Sequence, residues 1–260
     1  MLPNFLKPFH VENYRLLRVG PKFDGGYIID KKSVLYTDII VTCGLNDDWE
    51  FERSFLRMNS KCVVRAYDHT VDKKFWKARF KKDIKHLLLL KKIRLRKIID
   101  IFKYLDYLSF FRNDNKHHIL KIGTQNIKNK EITIKKILEG HQNIFLKVDI
   151  EGDEYKILNQ ISHCSNKINN LIIEFHDIHK NMNKIHNFII KTKKLKLIHI
   201  HANNYGGTNK IGDPNVVELT FTSINKNKQR LVKTKKKFPI KYLDYKNISR
   251  IEDINLKFND

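Results

Sequence analysis

Short apolar runs alternate with amphipathic segments along most of this chain. Runs of about four to eight residues rich in Ile, Val, Leu and Phe predict buried strands, whereas apolar residues at helical spacing predict helices. Seven strands are predicted in this way, over residues 38–43, 62–67, 117–122, 144–148, 171–176, 195–201 and 216–221. Helical patterns lie between them, at residues 49–56, 132–138, 151–161 and 181–193. This order predicts an α/β fold with a mostly parallel sheet.

The last two predicted strands are separated by only about a dozen residues, which leaves no room for a crossover helix. The spacing therefore predicts that the last strand is antiparallel to its predecessor.

The remaining segments are predicted to be additions to a single domain that spans residues 1–260. Residues 1–20 mix aromatic residues with prolines and predict a helix or cap. Residues 72–116 predict a basic helical insertion, which we interpret as a solvated layer; a membrane-surface helix and a substrate lid are the alternatives. Residues 226–260 are rich in Lys and Asn and predict a C-terminal extension that wraps the surface or frays.

Composition narrows the class of protein. The hydrophobic content of 41% excludes a disordered chain. The net charge of +23 suggests nucleic acid or an anionic membrane as a partner, but the basic residues spread over the whole chain, which favours solvated lysines. Three cysteines without metal-ligand spacing indicate a reducing compartment. With no signal-peptide core and no membrane-spanning run, we expect a cytoplasmic protein, and peripheral contact with an anionic membrane stays open.

Four acids cluster directly after the predicted fourth strand. The apolar run over residues 144–148 ends at Asp149, and Glu151, Asp153 and Glu154 follow it. In open α/β sheets, ligands bind beyond the carboxyl ends of the strands. A carboxylate at the end of a hydrophobic strand needs a partner, so we interpret Asp149 as functional. Glu151 has either a catalytic or a turn-stabilising role, and Asp153 and Glu154 are interpreted as acids of a first helical turn.

Two further strand ends suggest a nucleotide site. Gly44 follows the first predicted strand and Asp68 follows the second. In nucleotide-binding folds an acid at the latter position accepts hydrogen bonds from ribose hydroxyls, although the full GxGxxG fingerprint is absent here. The sequence Asp24-Gly25-Gly26 predicts either a hairpin turn or a loop that approaches a ligand closely.

Together these features resemble the class I S-adenosylmethionine-dependent methyltransferases, which have a Rossmann-like seven-stranded sheet with an antiparallel last strand. Residues 147–154 (KVDIEGDE), followed by IIEFH at residues 172–176, resemble the FkbM family of O-methyltransferases and its K-[IV]-D-[IV]-E-G-x-E segment. The resemblance covers about residues 18–222. The chain departs from many class I enzymes in its first loop, where CGLNDD replaces a glycine-rich sequence and leaves the backbone approach to Gly44 alone.

The resemblance implies S-adenosylmethionine as the methyl donor. The loop at Gly44 would contact its methionyl end, Asp68 would bind the ribose, and residues near Gly123 and Thr124 would border the adenine. The turn at Asp24 would close over the cofactor. The cofactor-binding residues expected on this basis are Asp24, Gly25, Gly26, Gly44, Leu45, Asn46, Asp68, Gly123, Thr124 and Asp149.

A hydroxyl acceptor must lose its proton during methyl transfer, so the site needs a base or a metal ion. The candidate catalytic groups at the predicted strand ends are Asp149, Glu174, His176 and His201. Either histidine could act as a general base at neutral pH. Alternatively Asp149, His176 and His201, with Glu174 or Asn203, could bind one Mg²⁺ or Mn²⁺.

The resemblance also implies sugars, glycans or polyketide-type products as acceptors, of which we favour a sugar, a nucleotide-sugar or a surface polysaccharide. A phosphorylated carrier would suit the basic stretch from Lys73 to Lys97. An RNA 2′-O-methyltransferase is one alternative, but the chain lacks the fifth-strand lysine of the Lys-Asp-Lys-Glu set, so no nucleic-acid partner is expected. A non-catalytic, basic membrane-surface protein on a methyltransferase scaffold is the other, and the acids and histidines at the strand ends argue against it.

Overall fold

The structure is a computed structural model that describes residues 1–12, 14–89, 102–224 and 231–259. A 3₁₀ turn at Asn4–Leu6 precedes the strands and helices. In chain order these are β1 (Phe9–Val11), β2 (Leu16–Val19), β3 (Tyr27–Asp30), α1 (Lys31–Leu35), β4 (Ile39–Cys43), α2 (Glu50–Met58), β5 (Val63–Tyr67), α3 (Lys73–Leu89), α4 (Lys103–Phe110), β6 (Lys116–His118), β7 (Lys121–Gly123), β8 (Glu131–Thr133), α5 (Ile134–Ile137), β9 (Ile144–Val148), α6 (Glu154–Cys164), β10 (Ile168–Phe175), α7 (Ile178–Lys191), β11 (Leu195–Ala202), β12 (Val217–Ser223) and β13 (Leu231–Lys233).

Seven of these strands form the central sheet, in the order β11-β12-β10-β9-β4-β5-β6. β12 runs antiparallel to both of its neighbours, and the other pairs whose direction the register shows are parallel. The predicted α/β fold with a seven-stranded, mostly parallel sheet and an antiparallel last strand is therefore confirmed. The strand order reverses between β4 and β9, and such a reversal opens a crevice at the carboxyl ends of the two strands.

Both faces of the sheet are buried, which explains why its strands appear as continuous apolar runs. Alternate residues of each strand enter different cores. Val41, Leu146 and Ile173 belong to a core that also holds apolar residues of α5, α6 and α7. On the opposite face, Ile40 and Phe145 pack with apolar residues of β3, α1 and α2. Because β3 contributes to this second core, the β2–β3 hairpin covers that face of the sheet. Several polar side chains at the strand ends project from the same face.

Three local predictions are wrong. Residues 9–11 and 16–19, predicted as part of a helix or cap, are strands that pair with β13 and β3. The predicted third strand contributes only residues 116–118 to the central sheet, because residues 121–123 pair with β8 instead. The helix predicted over residues 132–138 begins later, since β8 includes Ile132 and Thr133.

For the basic insertion and the C-terminal extension, only the general character of each segment was predicted. Helices α3 and α4 agree with the helical character predicted for the insertion, whose residues 90–101 lie outside the described part of the chain. Of the C-terminal extension, residues 226–230 and 260 are likewise outside it, while Phe238 and Leu256 are buried and form a bridge with each other. No helix among the described residues is long and apolar enough to cross a membrane.

Candidate active site

A cavity of about 1020 Å³ opens at the carboxyl ends of the central strands. Its walls come from the loops that follow β4, β5, β9, β10 and β11, together with the turn between β2 and β3. The volume is at the upper end of the range found for small-molecule and cofactor sites. The cavity therefore lies where the fold places a ligand, and it has room for a cofactor and an acceptor together.

Nine of the predicted site residues line this cavity: Asp24, Gly25, Gly44, Leu45, Asn46, Asp68, Asp149, Glu174 and His176. Asn203, which was predicted as an optional metal ligand, also lines it. Gly26, Gly123, Thr124 and His201 do not belong to its lining. Most of the site residues predicted from the sequence therefore line one cavity, and four of them lie outside its lining.

Gly123 and Thr124, which were expected to border the adenine, lie outside the cavity lining for a simple reason. The chain leaves the central sheet after His118, so Gly123 lies within β7 and Thr124 follows it. The carbonyl of Gly123 accepts a hydrogen bond from the Gln160 side chain at 3.0 Å. Leu120 and neighbouring residues line the cavity in its place. Gly123 and Thr124 therefore do not line the cavity, although Leu120, Lys121 and Ile122 just before them do.

Gly44 allows the ends of β4 and β9 to approach each other. Its φ is +85°, and a methyl group built on its Cα would overlap the backbone carbonyl of Asp149. The Asp149 amide donates to the carbonyl of Cys43 at 2.8 Å, directly before this point. A residue with a side chain would force these two strand ends apart, so the tight approach at the centre of the cavity depends on glycine.

Asp68 holds the loop that follows Gly44. Its Oδ2 accepts the backbone N–H groups of Leu45 and Asn46, each at 2.9 Å. Its Oδ1 accepts the backbone N–H and the hydroxyl of Thr70 at 2.8 and 2.6 Å. Burial alone would raise the pKa of Asp68, but these hydrogen bonds outweigh it and lower the pKa. Because four donors occupy the carboxylate, the predicted ribose contact requires the Thr70 hydroxyl to turn away.

Asp149 occupies the centre of the site. The Tyr27 hydroxyl donates to its Oδ2 at 3.3 Å, while its buried Oδ1 accepts no hydrogen bond from any described residue. Burial raises the pKa of Asp149 to about 6, the Lys147 cation opposes that rise, and Glu151 adds to it. A carboxylate with this pKa is ionised at neutral pH and can still take up a proton.

Lys147, the first residue of the KVDIEGDE segment, lies two residues before Asp149 and is buried. Its ammonium nitrogen is 3.5 Å from Glu52 Oε1, and the Thr42 hydroxyl donates to the same oxygen at 2.7 Å. Burial lowers the pKa of Lys147, but Glu52 and Asp149 outweigh burial and the net shift is upward. The lysine therefore remains charged and provides a fixed cation next to the Asp149 carboxylate.

The turn after β9 joins Asp149 to the end of β10. Glu151 and Gly152 both have positive φ, at 52° and 97°. Glu154 lies in the first turn of α6, as predicted, but it is completely buried and bridges two backbone segments. Its carboxylate accepts the Gly152 amide at 2.8 Å and the His176 amide at 2.7 Å. Glu154 therefore positions this strained turn against the next strand.

His176 lies among carboxylates. Its Nε2 is 3.4 Å from Glu151 Oε2 and 3.7 Å from Glu174 Oε1, and its Nδ1 is 3.4 Å from Glu154 Oε1. Burial lowers the pKa of His176, but Glu154, followed by Asp149 and Glu151, outweighs burial and raises it overall. The acids around His176 thus stabilise its protonated form and disfavour the neutral imidazole that a general base requires.

Glu174 is buried and fixed by one amide. The Asn203 side chain donates to its Oε1 at 2.8 Å. Burial raises the pKa of Glu174 well above its ordinary value, and the nearby acids Asp149 and Glu218 add to the rise. The neutral form of this carboxyl is therefore favoured, and it can donate a hydrogen bond as well as accept one.

The prediction that His201 joins Asp149 and His176 is wrong. β12 inserts between β10 and β11, so Glu218 is the register partner of both Glu174 and His201. Two strand spacings of about 4.8 Å thus separate His201 from the Glu174 position. The His201 Nδ1 lies 3.3 Å from Glu218 Oε2, and its Nε2 lies 3.6 Å from Asp253 Oδ1. His201 belongs to a buried ion pair behind the cavity wall.

This ion pair makes the stability of the protein depend on pH. Burial lowers the pKa of His201, but hydrogen bonding to Asp253 and Glu218 raises it overall to about 10. The folded protein therefore keeps a proton that the unfolded chain releases near pH 6.5, and the resulting stabilisation is complete below pH 6.5 and lost towards pH 10. Between these values we expect the free energy of unfolding to fall by up to about 1.4 kcal/mol per pH unit.

Urea denaturation at several pH values measures this effect. His201→Gln, which cannot carry the charge, should show a flatter dependence over the same range. Equal slopes for the two proteins would contradict the assignment.

The predicted metal set changes accordingly. Among the described residues, one ligand atom each from Asp149, Glu151 and His176 lie within 4.8 Å of one another. Glu151, whose role the sequence left open, takes the place predicted for His201. Its side chain is 85% exposed and is aimed at His176. The three groups could approach a small divalent cation, although the raised pKa of His176 disfavours the neutral form that a metal ligand requires.

Two residues of the site had little signal in the sequence. Tyr27, whose hydroxyl donates to Asp149, directly follows the Asp24–Gly26 turn, and no site role was predicted for it. Asn247 lines the cavity from the C-terminal extension, where it is one of many asparagines in a Lys/Asn-rich stretch. Only its contacts with distant residues distinguish it from the others.

Comparison with known proteins gives one family match and several distant structural likenesses. The sequence model of the methyltransferase FkbM domain matches residues 96–205. No curated protein matches the chain.

Similar solved structures include the fibrillarin/Nop5p complex (TM-score 0.39, 6% identity, 73% of this chain and 74% of that chain covered). M. jannaschii TYW2 in complex with AdoMet has a TM-score of 0.34 and 10% identity, with 75% and 74% covered. Precorrin-6y C5,15-methyltransferase from Geobacter metallireducens has a TM-score of 0.36 and 8% identity, with 74% and 87% covered. The family match confirms the resemblance carried by the KVDIEGDE segment, because the matched residues 96–205 include that segment.

Proposed function

We propose that this protein is an S-adenosylmethionine-dependent O-methyltransferase that acts on a hydroxyl of a sugar or glycan. The observation that supports this proposal best is the state of Asp149. It is a carboxylate with a pKa of about 6, and its buried Oδ1 accepts no hydrogen bond from a described residue inside a cavity of about 1020 Å³. Such an oxygen is suited to accept the proton of an acceptor hydroxyl.

The residues present fit the cofactor. Gly44 lines the cavity, and so do Asp24, Gly25 and Asn46. The methionyl end would be held by the Gly44–Asn46 loop, and the ribose would be met by Asp68. When bound, S-adenosylmethionine supplies an activated methyl group.

The side chains of the protein prepare the acceptor oxygen. Asp149 accepts the hydroxyl proton, which leaves the oxygen nucleophilic. Tyr27 and the Lys147 cation fix the carboxylate and keep it ionised before the reaction. The acidic neighbours of His176 stabilise its protonated form, which offsets the negative charge of the cluster. Asp149 and His176 are both candidate bases, and the raised pKa of His176, which disfavours its neutral form, supports Asp149 in that role.

The lining around Asp149 suits a neutral, polyhydroxylated acceptor. Glu174, Asn203 and Asn247 offer hydrogen-bonding groups on one side of the cavity, and Asp24 lies at the edge of the same wall. The acids Asp149, Glu151 and Asp24 in this half would repel a phosphate placed next to them. A nucleotide-sugar or phosphorylated carrier would therefore have to keep its phosphates away from this wall.

A screen with radiolabelled S-adenosylmethionine tests the function. Free sugars, methyl glycosides, nucleotide-sugars and polysaccharides are offered as acceptors, with RNA as a separate arm. We expect label in an alkali-stable ether on a carbohydrate. Label only in RNA, or calorimetry that shows no binding of S-adenosylmethionine, would overturn the proposal.

A metal-assisted reaction is the second candidate, because Asp149, Glu151 and His176 bring ligand atoms together. The raised pKa of His176 and the exposure of Glu151 disfavour it. We therefore expect EDTA to leave turnover unchanged in the screen above. Activity that disappears with EDTA, returns with Mg²⁺ or Mn²⁺ and is lost in Glu151→Gln would assign the metal role instead.

A further inference from the structure

The C-terminal extension supplies part of the acceptor wall, and its position is fixed by buried polar contacts. The Asp244 carboxylate lies 3.0 Å from His199 Nε2 inside the protein. The Asn204 side chain donates to the carbonyls of Ile248 and Ile251, both at 3.0 Å, and accepts the Ile248 amide at 2.9 Å. These anchors lie on both sides of residue 247, so the backbone there is held in one place.

Asn247 is oriented by two carboxylates. Its Nδ2 donates to Glu218 Oε1 at 2.7 Å and to Asp24 Oδ1 at 3.2 Å. Because both partners are acceptors, the nitrogen must face them and the amide oxygen must face the other way. The Asp24 amide also donates to the Asn247 carbonyl at 3.3 Å, which ties the turn before β3 to the extension.

The amide oxygen of Asn247 has no hydrogen-bond donor among the described residues. The residue is 5% exposed and lines the cavity, and its Oδ1 accepts no hydrogen bond from the described residues. A buried acceptor without a donor is costly, so a ligand that supplies a donor gains from meeting it. Asp149 Oδ1 is the other buried, unpartnered acceptor oxygen of this cavity. Both oxygens call for the same kind of ligand atom, a hydroxyl hydrogen.

We infer that Asn247 is a specificity-determining residue, whose side-chain oxygen binds a second hydroxyl of the acceptor while Asp149 binds the hydroxyl that is methylated. This inference rests on the proposed function. Asn247 lies outside residues 96–205, which the FkbM domain matches. The extension thus adds a selective contact to the domain, and an acceptor lacking the second hydroxyl leaves the Asn247 oxygen unpaired.

Deoxy sugars test this assignment. Methyl glycosides of glucose, galactose, mannose and rhamnose, and the monodeoxy analogues of each glycoside that is methylated, are compared by kcat/KM with the wild-type protein and Asn247→Ala. We expect one hydroxyl, other than the methylated one, whose removal lowers kcat/KM of the wild type by about tenfold or more. In Asn247→Ala the same removal should change kcat/KM by less than about twofold.

Asn204→Ala is the matched control, because Asn204 anchors the same extension but does not line the cavity. It loosens the segment without removing the oxygen, so it should keep the discrimination against the deoxy sugar. Calorimetry with S-adenosylmethionine verifies that each variant is folded, and Asn247→Ser serves if Asn247→Ala is not.

The outcomes separate the two proposals. Two results would overturn the role of Asn247 but leave the proposed function standing. One is that wild type and Asn247→Ala discriminate equally against the deoxy sugar, and the other is that Asn204→Ala loses this discrimination as fully as Asn247→Ala does. Transfer to none of the carbohydrate acceptors in the screen above would overturn the proposed function, and this inference with it.

Discussion

Replacing Asp149 by asparagine is expected to lower kcat by about 10²- to 10⁴-fold, the usual contribution of a general base. Asparagine keeps the size of the side chain and can still accept the Tyr27 hydrogen bond at 3.3 Å. The Asp149 carboxylate, with its pKa of about 6, can accept the proton of the acceptor hydroxyl, whereas the asparagine amide cannot. Single-turnover methyl transfer at saturating donor and acceptor measures the loss directly.

The control for this variant is Asp153→Asn in the same turn. Asp153 is a partly exposed residue of the cavity lining that is paired with Lys121 Nζ at 2.8 Å and also with Lys156. Pairs of this kind contribute little, so kcat should stay within about twofold of the wild type. Calorimetric affinity for S-adenosylmethionine and the thermal midpoint show whether Asp149→Asn remains folded. A folded Asp149→Asn protein with near-normal kcat would remove Asp149 from the chemistry.

The central strands could be predicted from the sequence because burial on both faces of a parallel sheet leaves a local signal. The fourth strand is predicted and observed over residues 144–148, and the first differs by one residue at its start. Strands whose partners are distant left no such signal. β1 pairs with β13, more than two hundred residues away, and the run at residues 117–122 divides between two sheets. An apolar run shows that a segment is buried, but it does not show which strand it pairs with.

The same limit applies to the site. Asp149 and His176 could be identified because each follows a strand whose end lies at the central crevice. His201 was misplaced because the sequence does not show β12 lying between β10 and β11. Glu154 lies in a first helical turn as predicted, but its burial was not predicted, because such an acid looks the same in the sequence whether solvent or a backbone amide satisfies it. Its complete burial follows from the position of β10, which local residues do not specify.

Replacing Gly44 by alanine is expected to destabilise the protein by about 4 kcal/mol, a large value for one methyl group. Two effects combine. The φ of +85° strains a residue that has a Cβ, and the added methyl group would overlap the Asp149 carbonyl. Relief requires β4 and β9 to separate where their ends frame the cavity, so affinity for S-adenosylmethionine should fall as well. Urea denaturation and calorimetry measure the two losses.

Gly140→Ala separates strain from overlap, because Gly140 has a similar φ of +76° but nothing within 4 Å of the position of an added Cβ. Strain alone should cost about 1 kcal/mol there and leave affinity for S-adenosylmethionine unchanged. The difference between the two variants then measures the contact between the ends of β4 and β9. Equal destabilisation would mean that this contact yields easily, and normal cofactor affinity in Gly44→Ala would show that the tight approach at Asp149 is not what shapes the cofactor site. The glycine after the first strand would then serve the turn alone.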